Sequence, residues 1–149
     1  MQFNQPMFVL QRRINQPLEA VERVLCDPAA FRASSTIPLP GGLDVTLERR
    51  FGVTFPPFGV DHASWCAPVR ASTRRGRTVE RFDVEINAWD AWSTELLVRP
   101  RARRPYRWSG RRMRRYFAIA HTTADALTGR IGARAAARVA PPRFAPVLG

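Results

Sequence analysis

The chain has 149 residues, 24 basic against 12 acidic side chains and a formal net charge of +12. This length favours one domain that buries about 68–70% of its unfolded surface, so no disulfide or metal staple is needed to hold a core. No apolar run reaches the ~18–20 residues of a membrane span, and the N-terminus lacks the basic start and long apolar block of a secretory signal, which makes the cytoplasm the default compartment. The expected layout is one domain over residues 1–140 and a proline-rich tail over 141–149.

All 24 basic residues are arginine. GC-rich codon usage accounts for the missing lysine, since selection for charge alone would not exclude it. Affinity for phosphate or carboxylate is the functional counterpart, because the guanidinium fork suits both. The two cysteines, Cys26 and Cys66, form no CxxC, and His62 and His121 lie far from them in sequence. A zinc site needs about four ligands in local pairs, so no metal is expected. Without a GxGxxG or phosphate loop, no nucleotide cofactor is expected either.

In chain order, residues 7–14 (MFVLQRRI) read as a strand with Phe8, Leu10 and Ile14 on one parity. Pro17 then opens a short amphipathic helix with Leu18, Val21, Val24 and Leu25 on its apolar side, ended by Asp27-Pro28. Asp27 can cap a second short helix, PAAFRAS. Residues 37–42 (IPLPGG) read as a loop, and 43–51 as a strand with Val45, Leu47, Arg49 and Phe51 on one face. FPPFG at 55–59 breaks the pattern. Residues 62–70 resume it with Ala63, Trp65, Ala67 and Val69 inward, and Pro68 on the other face points to an edge or a bulge.

Residues 73–77 (TRRGR) form a turn. The clearest strand is 78–89, with Phe82, Val84, Ile86 and Ala88 alternating against Arg81, Asp83, Glu85 and Asn87. A turn at 90–92 leads to a strand at 93–99, and 53–55 and 105–108 are candidate extra strands. From 99 to 115, nine of 17 residues are arginine, interrupted by Pro100, Pro105 and Gly110. The last element, 111–138, carries Met113, Phe117, Ala120, Ala124, Leu127 and Ile131 at steps of +4, +3, +4, +3 and +4. That is one stripe of a long helix, bordered by Tyr116 and His121. Alternating strands with one polar face need cover on one side, and the striped helix supplies it.

This order resembles the helix-grip superfamily of START-like, Bet v 1-like and polyketide-cyclase-like (SRPBCC) proteins. The opening is similar to the family's strand followed by I-x-x-P-x-x-x-V-x-x-x-L-x-D-P, here Ile14, Pro17, Val21, Leu25, Asp27 and Pro28. The hairpin run and the terminal helix extend the likeness over most of the chain. The resemblance implies an α+β fold: a curved antiparallel β-sheet wrapped around a long C-terminal α-helix, with two short helices after the first strand. It also implies a cavity between sheet and helix that takes a small hydrophobic ligand of lipid, polyketide or aromatic type. Some members add cyclisation or dehydration and others act as carriers; the residues leave enzyme or carrier, and oligomeric state, open.

If that cavity exists, its walls are Leu47, Arg49, Trp65, Phe82 and Val84 from the sheet and Met113, Tyr116, Phe117, Ala120 and His121 from the helix. Arg49 on the inward parity could meet a ligand carboxylate or enolate, or reach water at a strand end. His121 lies one turn from Asp125, as a proton-transfer pair or an exposed i,i+4 pair. Tyr116 could donate to a ligand oxygen. These three are the candidate catalytic residues. The rival signal is the arginine-rich 99–115 segment with Tyr106 and Trp108, which suits nucleic acid or an acidic partner. Arg111, Arg112, Arg114 and Arg115 also crowd a helix N-terminus, the unfavourable end for positive charge, which calls for a compensating anion.

Overall fold

The computed structural model describes residues 8–32, 35–54 and 64–139. The proposed tail, His62 and the FPPFG segment lie outside the described residues.

The first strand, β1 (Leu10–Ile14), leads into α1 (Leu18–Leu25). Pro17 serves as the N-cap residue, in extended conformation, and its carbonyl accepts the backbone N–H of Ala20 and Val21. Ala20, Val21, Val24 and Leu25 are the buried side of α1. The second short helix expected from Pro28 is instead a turn in which the Ala30 and Phe31 N–H groups both bond Asp27 O. The Asp27 side chain caps that turn through the Ala29 N–H at 2.9 Å. Among the described residues of this segment only the Phe31 N–H makes an i→i−4 bond, and one such bond does not propagate a helix.

Six further strands follow: β2 (Thr36–Leu39), β3 (Leu43–Leu47), β4 (Gly52–Thr54), β5 (Ser64–Thr73), β6 (Thr78–Ala88) and β7 (Thr94–Pro100). All pair antiparallel in the order β1-β7-β6-β5-β3-β2, with β4 also on β5. β2 corrects the loop expected at 37–42. It lies at the sheet edge, where Pro38 removes no bond from an interior ladder.

The strand expected over 43–51 is broken in two. Leu47 stands opposite Val69 and Gly52 opposite Cys66, so four residues on one side, 48–51, face two on the other, Ala67 and Pro68. Proline has no N–H to give the neighbouring strand. Its carbonyl still accepts from Glu48 N at 2.9 Å, and the chain then bulges before pairing resumes. Within the bulge Arg49 is exposed rather than inward, whereas Phe51 is buried as its parity expects.

The β6–β7 connection is a tight turn organised by Asp90, whose Oδ1 accepts from the backbone N–H of Trp92 and Ser93 and from the Ser93 hydroxyl. The Trp92 N–H foremost, then the Ser93 hydroxyl, holds the Asp90 carboxyl below its ordinary pKa. The candidate strand at 105–108 is a single 3-10 turn, Pro105–Arg107. Ser109 then starts α2 (Gly110–Val139): its hydroxyl accepts the Arg112 N–H at 3.2 Å and its carbonyl the Met113 N–H at 3.0 Å.

Thirty residues at 1.5 Å each make α2 about 45 Å long. It lies closest to α1, to both edge strands β1 and β2, and to β7, whereas the central strands β3, β5 and β6 approach it less closely. A flat sheet could not bring both edges to one helix, so the sheet is curled around α2. This is the helix-grip arrangement. The core lies in the concavity, where Val45, Leu47, Val69, Phe82, Val84, Ile86, Leu96 and Val98 meet Tyr116, Ala120, Ala124, Leu127 and Ile131. No described helix is long and apolar enough to cross a membrane.

Candidate ligand-binding interior

Strand β6 sets the concave face. Glu80, Phe82, Val84 and Ile86 are buried there, while Arg81, Asp83, Glu85 and Asn87 turn outward. On β5 the matching inward residues are Trp65, Ala67, Val69 and Ala71, and on β3 Val45 and Leu47. Of the sheet residues expected on the wall, Leu47, Phe82 and Val84 are buried and Trp65 is half-buried. Trp65 donates its indole N–H to Glu22 Oε1 of α1 at 3.2 Å. That bond seats a large aromatic at the edge of the concavity without leaving its donor unpaired.

On α2 the buried line runs through Tyr116, Ile119, Ala120, Thr123, Ala124, Leu127, Ile131 and Ala135. The expected stripe holds from Ala120 onward. At the N-terminal end it is rotated: Tyr116 is central and fully buried, and Met113 and Phe117 are half-buried flanks. Thr123 is tolerated inside because its hydroxyl donates to Ile119 O at 2.7 Å.

His121 is exposed, which corrects its expected place on the wall. Its Nδ1 accepts from the Arg12 guanidinium at 2.6 Å, and the same guanidinium bonds Asp125 Oδ1 at 2.8 Å. The ring is therefore tied to the edge strand by Arg12 rather than paired directly with Asp125. Arg12 shares the inward parity of β1, so it reaches α2 where the sheet edge curls over the helix.

An aromatic cluster closes the concavity at the N-terminal end of α2. Tyr116 meets Trp108 edge-on at 5.1 Å and Phe82 at 6.5 Å, and Phe8 stacks on Phe117 at 6.2 Å. The Tyr116 hydroxyl donates to the Phe8 carbonyl at 3.0 Å. Burial first, then the nearby Glu80 charge, pushes the Tyr116 phenol well above its ordinary range. Because the folded value exceeds the unfolded one, this group's contribution is fully present below about pH 10 and is lost as pH rises above it. Tyr116→Phe is expected to cost about 1–3 kcal/mol by leaving the Phe8 carbonyl unpaired. Urea denaturation at neutral pH checks this. The variant should also lose less stability than the parent between pH 9 and 11.

Two residues of this end escape the alternation pattern of apolar side chains. Glu80 lies deep in the concavity, its side chain 3% exposed, and Arg112 of α2 bonds both its oxygens at 3.1 and 3.3 Å. The Arg112 guanidinium also lies over the Trp108 ring at 4.4 Å. Glu80 compensates one of the four arginines at the helix start, Arg112. Its even-numbered parity with Phe82, Val84 and Ile86 was the signal that could have placed it. Both cysteines are free thiols; burial, then Asp83 and Glu85, raises the Cys66 pKa on the outer face. Among the described residues, no cluster of three or more His, Cys, Asp or Glu side chains could hold a metal.

No protein-family model and no curated protein matches the sequence. Among solved structures, the Zhui aromatase/cyclase from a Streptomyces species is similar, with a TM-score of 0.38 and 13% identity over 88% of this chain and 93% of that one. A protein from Thermus thermophilus is similar with a TM-score of 0.36 and 12% identity, over 88% of this chain and 97% of that one. Neither likeness assigns an activity to this chain.

Proposed function

We propose that this chain binds a small hydrophobic molecule, of lipid, polyketide or aromatic type, between the curled sheet and α2. The observation that carries the reading is the run of small side chains at the middle of the concavity. Ala120, Thr123 and Ala124 face inward between the bulkier Tyr116 and Leu127, and the central strand β5 presents Ala67 and Ala71. Small residues on both facing surfaces are where a ligand would find room, and α2 lies nearer to β1, β2 and β7 than to the central strands. The aromatic cluster around Tyr116 forms one end of that volume, and the Trp65–Glu22 pair lies at its rim.

The proposal is one of binding. Arg49 and His121 are exposed and the Tyr116 hydroxyl is engaged by Phe8, so none of the three is given an acid–base role in it. Native mass spectrometry of the purified protein tests the reading together with Ala124→Phe. The parent should carry a co-purifying hydrophobic molecule or take up a medium-chain fatty acid or naphthalene. Ala124→Phe should abolish this uptake at little cost in melting temperature, because the ring fills existing space. If the parent takes up nothing and Ala124→Phe costs the ~1–3 kcal/mol of an overpacked core, the interior is filled and the proposal fails.

A further inference from the structure

Away from the interior, the fold gathers arginines from three separate segments at one end. The β5–β6 turn contributes Arg74, Arg75 and Arg77, all exposed, around Gly76, whose φ of +84° suits the left-handed turn position. The β7–α2 connection contributes Arg103, Arg104 and Arg107, also exposed. The first turns of α2 contribute Arg111, Arg114 and Arg115. The three segments are neighbours: Arg101 N bonds Arg81 O at 3.4 Å, and Arg115 reaches the Val79 carbonyl at 3.5 Å. Between them lies a cleft of about 340 Å³ walled by residues 78–81, Arg101, Ala102 and Arg112.

Codon bias would raise the number of arginines, but it would not set where they go uncompensated. Among the described residues, none of these nine exposed arginines forms an ion pair. The carboxylates around the cleft walls are already taken: Glu80 by Arg112, Asp83 by Arg101, and Glu48 by Arg81 and Arg101. The cleft walls are thus internally neutralised and held in place, and the nine guanidiniums without a carboxylate partner form a rim around them. A rim of weakly hydrated forks without carboxylate partners is suited to a chain of phosphates.

We infer that this end of the molecule binds single-stranded nucleic acid, independently of the interior site. Tyr106, 55% exposed on the 3-10 turn within the rim, supplies a face for a base to stack on. The arginines arrive from a turn, a loop and a helix start, not from one helix able to enter a duplex groove. A lipid surface fits less well, because the other large exposed apolar side chains among the described residues, Val53, Trp89 and Trp92, lie elsewhere. Trp89 and Trp92 sit at the β6–β7 turn, at the opposite end of β6 from the 78–81 cleft wall.

Fluorescence anisotropy with a labelled oligothymidine of 12 nucleotides, from 25 to 200 mM salt, is the test. With about six phosphates neutralised, log K should fall against log salt with a slope of about −4. Replacing Arg74, Arg75 and Arg77 together by Gln should make the slope shallower by about 2 and weaken binding about 100-fold at 0.1 M salt. Tyr106→Ala should weaken binding by about 5- to 100-fold and leave the slope unchanged. Circular dichroism and melting temperature should be unaltered in both variants, since all four side chains are exposed. No binding at 25 mM salt overturns the inference. So does competition by polyglutamate or phosphatidylserine vesicles as strong as by unlabelled oligonucleotide, or a Tyr106→Ala variant that binds like the parent.

Discussion

Arg112→Ala is expected to destabilise the protein by about 3 kcal/mol, and Glu80→Gln by less than about 1 kcal/mol, although both remove the same ion pair. The asymmetry follows from where the two charges sit. The Glu80 side chain is 3% exposed and the Arg112 side chain 43%. Removing the guanidinium leaves a nearly buried carboxylate without its counter-charge, on the wall of the cleft it shares with Arg112. Removing the carboxylate leaves an arginine that can turn outward and keep its stacking on Trp108. The figure for Arg112→Ala is taken at the low end of the range for broken buried pairs because this pair is partly solvated. For a chain of this size about 3 kcal/mol lowers the melting temperature by roughly 6–12 °C. The double variant, Arg112→Ala with Glu80→Gln, should recover most of the loss, since no charge remains to be stranded. Equal effects of the two single variants, or a larger effect of Glu80→Gln, would show that the carboxylate reaches water.

The same pair marks the boundary between what was legible in the chain and what was not. The period-2 run of β6 and the +3/+4 run of α2 are local patterns, and both elements form where those patterns place them. The Ile14–Pro28 opening is equally local: Pro17 caps α1 and Asp27 closes the turn after it. The residues that went astray depend on non-local partners. Arg49 falls in the bulge between β3 and β4, across from Pro68, which has no N–H to give a neighbouring strand. β2 was hidden by Pro38, which is harmless only because β2 lies at the edge, and sequence does not state the strand order.

Tyr116 and Phe117 are adjacent on a helix whose first turns offer apolar residues over a wide arc. Which one faces inward is decided by Phe8, whose carbonyl takes the Tyr116 hydroxyl. His121 is drawn outward by Arg12 across 109 residues of chain. Glu80 was missed because a charge on an inward parity reads as a strand end, and only its partner on α2 makes burial tolerable.

Leu127→Ala probes the interior more directly than any polar substitution. Leu127 is fully buried and follows the small run Ala120–Ala124 on the inward line of α2. Deleting three carbons there removes their transfer free energy and leaves a cavity that a helix pinned to both sheet edges cannot close by collapsing. The expected cost is about 2–5 kcal/mol, which for this chain is roughly 4–20 °C in melting temperature. The new space joins whatever volume the alanines already leave, and its lining of Leu, Ile, Val and Phe side chains keeps water out. A small apolar molecule such as benzene or naphthalene should therefore restore part of the lost stability, by RT ln(1 + [L]/Kd), and do so more strongly in the variant than in the parent. Thermal melts with and without the added hydrocarbon measure both quantities. A variant that is destabilised but gains nothing from the hydrocarbon would mean that the helix settles onto the sheet. The concavity would then be a packing surface rather than a container. Recovery would mean that α2, held at the edges by β1 and β2, keeps its distance from the central strands even when its side chains are cut back.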